Sequence, residues 1–473
     1  MEHFMKEINK QSGKQSPLIS GKSRSYAEVV EFLDTNWAAK SSSKKFSCMK
    51  KLNQAFNNVA KKIRTVLVNG TNGKSLTINF ASQLLQAEKL TVGTFYAPHI
   101  MMYNERISIN NETISNKVFT ELANEVLTTA QTEGIEPTSH EVLTMIALLY
   151  FDKNNVGAAL LEVNEGGVYD ATNVCDATIA AITRVTEDDE SKTAETLKAM
   201  LGIVKNGTHV VSADQSKANL QTMVQVTEEK NGQWSMPIRK LAQLKYPFEQ
   251  LHGRSAALAE RIAYTFVNDV LKKDSVATSG TLLSKQKGQR GRPTLEAKRA
   301  SELNPRKTVE QFWRETTSTL TGRFQLLEKE KPSVLLDNAS NLDSFKNLLL
   351  GIRLLHYRRP IKGLVLIVGN DNPSLDHTEF LKLLRYFFKK TSGQVIFSPV
   401  KTIAGDKGSK SWNVEKLTND AKSMKIKARS SKSFKEAFGN AQKIVDERYG
   451  LVAVAGCTSI LADYWNYKGI KKV

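Results

Sequence analysis

Three segments of this 473-residue chain are apolar in unbroken runs rather than at every second position: TVLVN (65–69), VGAALLEV (156–163) and TIAAIT (178–183). An alternating strand shows one face to water. A continuous one is covered on both, as in a parallel sheet sandwiched between helices. Helical spacing falls between the runs, with Leu76, Phe80 and Leu84 in Ser75–Glu88 and a longer amphipathic pattern over Ser255–Val270. Residues 25–274 are therefore expected to form a large α/β domain of the P-loop type, its sheet mostly parallel with helices on both faces. The alternation resumes on a smaller scale after Gly322, with strands expected at SVLLD (333–337), LVLIVG (364–369), QVIF (394–397) and LVAVAG (451–456). This predicts a second, Rossmann-like α/β domain over 321–473. Residues 275–320 interrupt the pattern with Ser, Gly, Lys, Arg and two prolines, the composition of a basic linker or insert. Residues 1–24 read as a flexible basic tail.

The formal net charge is +19, and 40% of the residues are hydrophobic. The densest basic run, Lys285–Arg299, contains no aromatic residue. Nucleic-acid binders interleave aromatics with Lys and Arg, so acidic small molecules are the expected partners and nucleic acid is not. No stretch approaches the roughly 20 apolar residues needed to span a bilayer, and the polar N-terminus lacks an apolar signal core. Three scattered cysteines without a CxxC pair exclude a disulfide framework and a thiolate zinc site, and they suit a cytoplasmic protein.

The first apolar run leads into Gly70-Thr71-Asn72-Gly73-Lys74-Ser75 and then a helical pattern. Glycines let successive N–H groups curl inward onto phosphate oxygens, and the following helix adds its positive dipole end. Lys74 is placed to bridge the outer phosphates, and Ser75 or Thr77 to reach a magnesium ion. Two acids, Glu162 and Asp337, stand at the ends of other expected strands. An acid just beyond a buried strand, facing a phosphate site, commonly holds magnesium directly or through water.

Downstream of this turn come YAPHIMMYNERISINNETIS (96–115), LLEVNEGGVYDATN (160–173), GIVKNG (202–207), TGRFQLL (321–327) and LLDNASN (335–341). In that order and spacing the chain resembles the folylpolyglutamate synthase/dihydrofolate synthase family, within the Mur ligase superfamily. The resemblance implies a two-domain, ATP-dependent amide ligase in which a substrate carboxylate is phosphorylated and the acyl phosphate is attacked by the amino group of L-glutamate. The acid would be a folate or dihydropteroate, magnesium the metal and the protein a monomer. Carried over, Gly70 to Ser75 would cradle ATP, and Glu162, Ser75 and Asp189 would hold magnesium. Arg323 and Asp337 would reach the nucleotide from the small domain, and Asp170, Asn173 and His99 would face the acceptor. Lys74, Glu162 and Asp189 are the expected catalytic set.

Departures from the family pattern accompany this likeness. The family's Ser before Pro-His is Ala97, its carbamylated lysine aligns with Met200, and the His of DGAHN is Ser340; the Arg of GGRLDATN is Val168. Asp189 takes the place of a histidine, and a carboxylate can replace imidazole on a hard cation. A working ligase and a degenerate relative that binds nucleotide without ligating are the two readings. His140 is expected as a partly buried structural residue, His252 just before a helix, and NPSLDHTEF (372–380) as a simple helix start.

Overall fold

The computed structural model describes residues 23–37, 42–164, 166–245, 248–271, 309–315, 320–401 and 411–471. Two sheets organise it. The first has eight strands: β1 (Thr65–Asn69), β2 (Val92–Phe95), β3 (Ile107–Ile109), β4 (Glu112–Thr113), β5 (Ala158–Glu162), β6 (Ile179–Ile182), β7 (His209–Ser212) and β8 (Gln233–Ser235). Their order is β4-β3-β2-β5-β1-β6-β7-β8, parallel except where β3 pairs with β2 and β4. The second has six: β9 (Gln325–Leu327), β10 (Ser333–Asp337), β11 (Leu364–Gly369), β12 (Gln394–Phe397), β13 (Ala428–Ser430) and β14 (Leu451–Gly456). Their order is β13-β12-β11-β14-β10-β9, with β9 alone antiparallel.

The unbroken apolar runs are explained by what covers each face. In β1, Leu67 packs into one core with Leu161 and Ala180 of the neighbouring strands. Val66 and Val68 point the other way, into a core shared with the helices Lys74–Ala87 and Phe248–Thr265. The small unit repeats the device: Leu335, Leu366 and Ala453 enter one core, Val334, Ile367 and Val454 the other. Burying each such side chain stabilises the fold by roughly 1.5–3 kcal/mol, which fixes the strand positions on both faces at once.

Four differences from expectation have physical causes. The helix expected from Ser255 begins at Phe248. Gly253 interrupts its apolar pattern because the backbone of Ala242 approaches there: Ala242 N–H donates to Gly253 O at 2.9 Å, and a Cβ would stand 3.1 Å from Ala242 O. The connector expected over 275–320 contains a helix, Val309–Glu315, that belongs to the large unit. Trp313 is fully buried there, edge-on to Phe80, and its indole N–H donates to Glu260. Of that stretch, 275–308 and 316–319 lie outside the described residues, as do 272–274 before it and residues 1–22 of the expected tail. Arg24, also assigned to the tail, is tied down: its N–H and C=O both bond the Asn124 side chain, at 2.7 and 2.8 Å. Five short strands of the large sheet (β2, β3, β4, β7, β8) were not expected. NPSLDHTEF does start a helix, His377–Lys390, capped by Asp376, which accepts from the N–H groups of Thr378 and Glu379.

β11 and β14 end side by side on Gly369 and Gly456. Gly456 has φ +139°, and a Cβ there would fall 1.7 Å from Gly369 O. Gly456→Ala is expected to destabilise the protein by about 3 kcal/mol, read as a lowered urea midpoint with an unchanged slope.

Candidate active site

The carboxyl ends of β1, β5, β6 and β10 converge on one cleft between the two units, of about 380 Å³. At its base lies the glycine turn. Gly70 has φ +135°, and a Cβ would lie 2.0 Å from Thr183 Oγ1; Gly73, φ +91°, caps the helix Lys74–Ala87. Strand β6 braces the turn, as Thr71 N–H donates to Arg184 O at 2.8 Å and Thr71 Oγ1 to Thr186 O at 2.8 Å. Asn72 to Thr77 line the cleft, and Thr77 is fully buried.

Above the turn four side chains meet. Ser75 Oγ donates to Glu162 Oε2 at 2.9 Å and accepts from Arg323 Nη2 at 3.1 Å. Lys74 Nζ donates to Gly70 O at 2.8 Å and stands 4.0 Å from Glu162 Oε1. Burial raises the Glu162 carboxyl against the pull of Lys74 and Arg323, and lowers the Lys74 ammonium and the Arg323 guanidinium. Asp337, at the end of β10, accepts from Phe324 N–H at 2.7 Å, and burial pushes its carboxyl up to about 6. The Ser75 hydroxyl and Glu162 carboxylate form a pair of hard oxygens. That pair fits a divalent ion that keeps waters and phosphate oxygens as its other ligands.

A second set of contacts joins the units at the same place. Asn72 and Asn341 exchange amide hydrogen bonds at 3.1 and 3.0 Å, and Asn72 Nδ2 also donates to Asp343 Oδ2 at 2.9 Å. Arg184 Nε pairs with Asp343 Oδ1 at 2.9 Å, and Leu342 N–H donates to Asp188 Oδ1 at 3.1 Å. None of Arg184, Asn341 or Asp343 was singled out from the sequence. The available signal was position, since each lies within a few residues of a strand's carboxyl end.

Other expected residues lie apart from this group. Asp189 is corrected: it does not line the cleft, is exposed, and accepts from Ser191 N–H at 3.1 Å and Ser191 Oγ at 2.7 Å. Its neighbour Asp188 faces the junction instead. Asp170 is fully buried with both oxygens engaged. Oδ1 accepts from Thr172 N–H and Oγ1, while Oδ2 accepts from Asn164 N–H and lies 3.2 Å from His140 Nε2. Asn173 Nδ2 donates to Val168 O and Gly202 O. These two residues brace the turn after β5 rather than facing the cleft. His99 lines a neighbouring cavity, not this one. His140 is the structural partner of Asp170, stacked on Phe95. His252 lies within the helix Phe248–Thr265, lines the cleft, and is held down to about 4 by burial. Met200 is buried in the core, its carbonyl accepting from Asn69 Nδ2 at 3.1 Å. Ala97 and Ser340 both line the cleft, without a hydroxyl in the first case or an imidazole in the second.

A phosphate turn at a strand end, a basic residue reaching it from a second α/β unit and a closed junction between them define the class: a two-domain, ATP-dependent ligase. No family model matches the chain. It is 31% identical over 321 residues to the dihydrofolate synthase/folylpolyglutamate synthase of Bacillus subtilis (strain 168), covering 63% of this chain and 70% of that protein. The fold superposes on a Mycobacterium tuberculosis folylpolyglutamate synthase complexed with ADP and AMPPCP with TM-score 0.72 and 18% identity, covering 94% of this chain and 98% of the other. It also superposes on the Yersinia pestis bifunctional folylpolyglutamate synthase/dihydrofolate synthase complexed with AMPPNP and Mn, with TM-score 0.71 and 19% identity over 96% and 100%. The chain belongs to the folylpolyglutamate synthase/dihydrofolate synthase family. No helix among the described residues is long and apolar enough to cross a membrane.

Asp337 supplies a pH test of this geometry. Its folded pKa lies above the unfolded one, so the fold favours the protonated form. The stability it contributes is complete below about pH 4 and is lost as pH rises through 6. Asp337→Asn is expected to gain on the wild type by roughly 1–2 kcal/mol between pH 4 and 7, measured by urea unfolding across that range.

Proposed function

We propose that this chain is an ATP-dependent ligase that adds L-glutamate to the carboxylate of a folate or dihydropteroate. The observation that carries the reading is the Lys74–Ser75–Glu162–Arg323 group, built from both units at the mouth of a glycine turn. Main-chain N–H groups of the turn and Lys74 hold the phosphates of ATP. Ser75 and Glu162 would hold magnesium, which when bound would supply positive charge against the outer phosphates. The acceptor carboxylate displaces ADP from the γ-phosphorus to give an acyl phosphate. The glutamate amino group then attacks the acyl carbon, phosphate leaves, and the nitrogen gives up a proton. Arg323 and Lys74 stabilise the negative charge that gathers on the transferring group, where electrostatic preorganisation does most of the catalytic work. The junction through Asn72, Asn341 and Asp343 keeps water from the acyl phosphate.

A second reading, a nucleotide binder that does not ligate, draws on the departures from the family pattern: Ala97 and Ser340 line the cleft without a hydroxyl and an imidazole, and Met200 is buried in the core. Purified protein with ATP, magnesium, L-glutamate and dihydropteroate or a reduced folate is expected to release phosphate and form a γ-glutamyl product. Lys74→Ala should lower kcat/KM by about 100-fold. ATP binding without product in the wild type selects the second reading.

A further inference from the structure

The order of the large sheet ends on β8, which pairs with β7 on one side and with no other strand among the described residues. An open edge of this kind is where a sheet accepts a further chain. The helix Lys217–Glu229 packs over the same two strands. Between helix and edge runs a groove of about 370 Å³, floored by Leu220, Val224, Trp234 and Met236. The apolar surface continues past it: Met236 is 47% exposed and Ile238 60%.

The rim of the groove is balanced in charge on a chain that carries +19. Most faces of so basic a protein repel a second copy. Here one stripe of the helix steps through 217, 220, 221, 224, 225 and 228, with Lys217 at one end and Glu228 at the other, both exposed. About 16 Å of helix axis separates the two, too far for them to pair with each other. Neither enters an ion pair with any described residue. The stripe is symmetric about its midpoint, so a two-fold axis there sets the Lys217 of each copy against the Glu228 of the other. An axis normal to the sheet also runs β8 antiparallel to its own copy and brings the Trp234 and Met236 of both into one apolar seam. Such a contact is closed, because each copy uses its one open β8 edge.

We propose that this edge is a self-association surface, through which two copies of the chain join by β8 and the helix Lys217–Glu229 in an antiparallel, two-fold dimer. The family resemblance implies a monomer; the open edge and its self-complementary rim argue for a pair. None of the groove's residues lines the nucleotide cleft, so the contact is independent of the ligase reading. The groove and its rim are small beside an obligate interface, and affinity in the micromolar range is expected.

Sedimentation velocity on the full chain, over a series from about 1 to 100 µM, tests it. The wild type is expected to climb in average mass from monomer toward dimer and to go no higher. Lys217→Glu and Glu228→Lys each set like charges face to face twice in the dimer, and each is expected to weaken association about tenfold. The double reversal restores both pairs and should return to within about threefold of the wild type. Unchanged urea midpoints confirm that these exposed substitutions leave the fold intact. A wild type that stays monomeric throughout the series overturns the proposal. So does a dimer that neither single reversal weakens, or that the double reversal fails to restore.

Discussion

Glu162 ends a strand covered on both faces, and its carboxylate is the charge around which the junction of the two units is arranged. A buried carboxylate is costly unless paired and hydrogen-bonded. Here the compensation is divided: Ser75 and Lys74 come from the large unit, Arg323 from the small one. Seating the small unit is thus part of how the large unit tolerates its own acid. Lys74 and Arg323 outnumber Glu162 by one positive charge, and the Asp337 carboxylate, where ionised, balances the group.

Sheet geometry supplies the rest. Parallel strands end together, so β1, β5 and β6 deliver the glycine turn, Glu162 and Arg184 to one edge, as expected for ligands at the carboxyl ends of an open sheet. The second sheet contributes the same edge of β10. The helix Leu342–Arg358 begins directly over the turn, and its cap residue Asn341 is the one that pairs with Asn72. The phosphate turn is consequently anchored on two sides, by β6 through main-chain bonds and by the small unit through side chains.

Local chemistry was legible in the sequence where one segment held all of it. The runs TVLVN and SVLLD show their two-sided burial in their composition, and the glycine turn shows its backbone demands. Strands such as β3 and β4 were hidden because they are short edge pieces whose register comes from neighbours rather than from their own pattern. The helix Val309–Glu315 was hidden by its basic, proline-bearing surroundings, although Trp313 fills a core. Within the site, the turn residues, Glu162 and Asp337 stand at the ends of strands expected from composition, while Arg323, which only the family resemblance pointed to, lies against Ser75. Asp189 does not join them, because a neighbouring residue in the same acidic pair faces the junction. The Arg184–Asp343 pair was out of reach, since it depends on what the fold brings alongside residues distant in the chain.

Asn341 has two tasks: its side-chain oxygen accepts from Ser344 N–H to start the helix Leu342–Arg358, and its amide nitrogen donates to Asn72 Oδ1. One side chain therefore ties the first turn of a helix in one body to the floor of the other, and a change at that position would loosen both together.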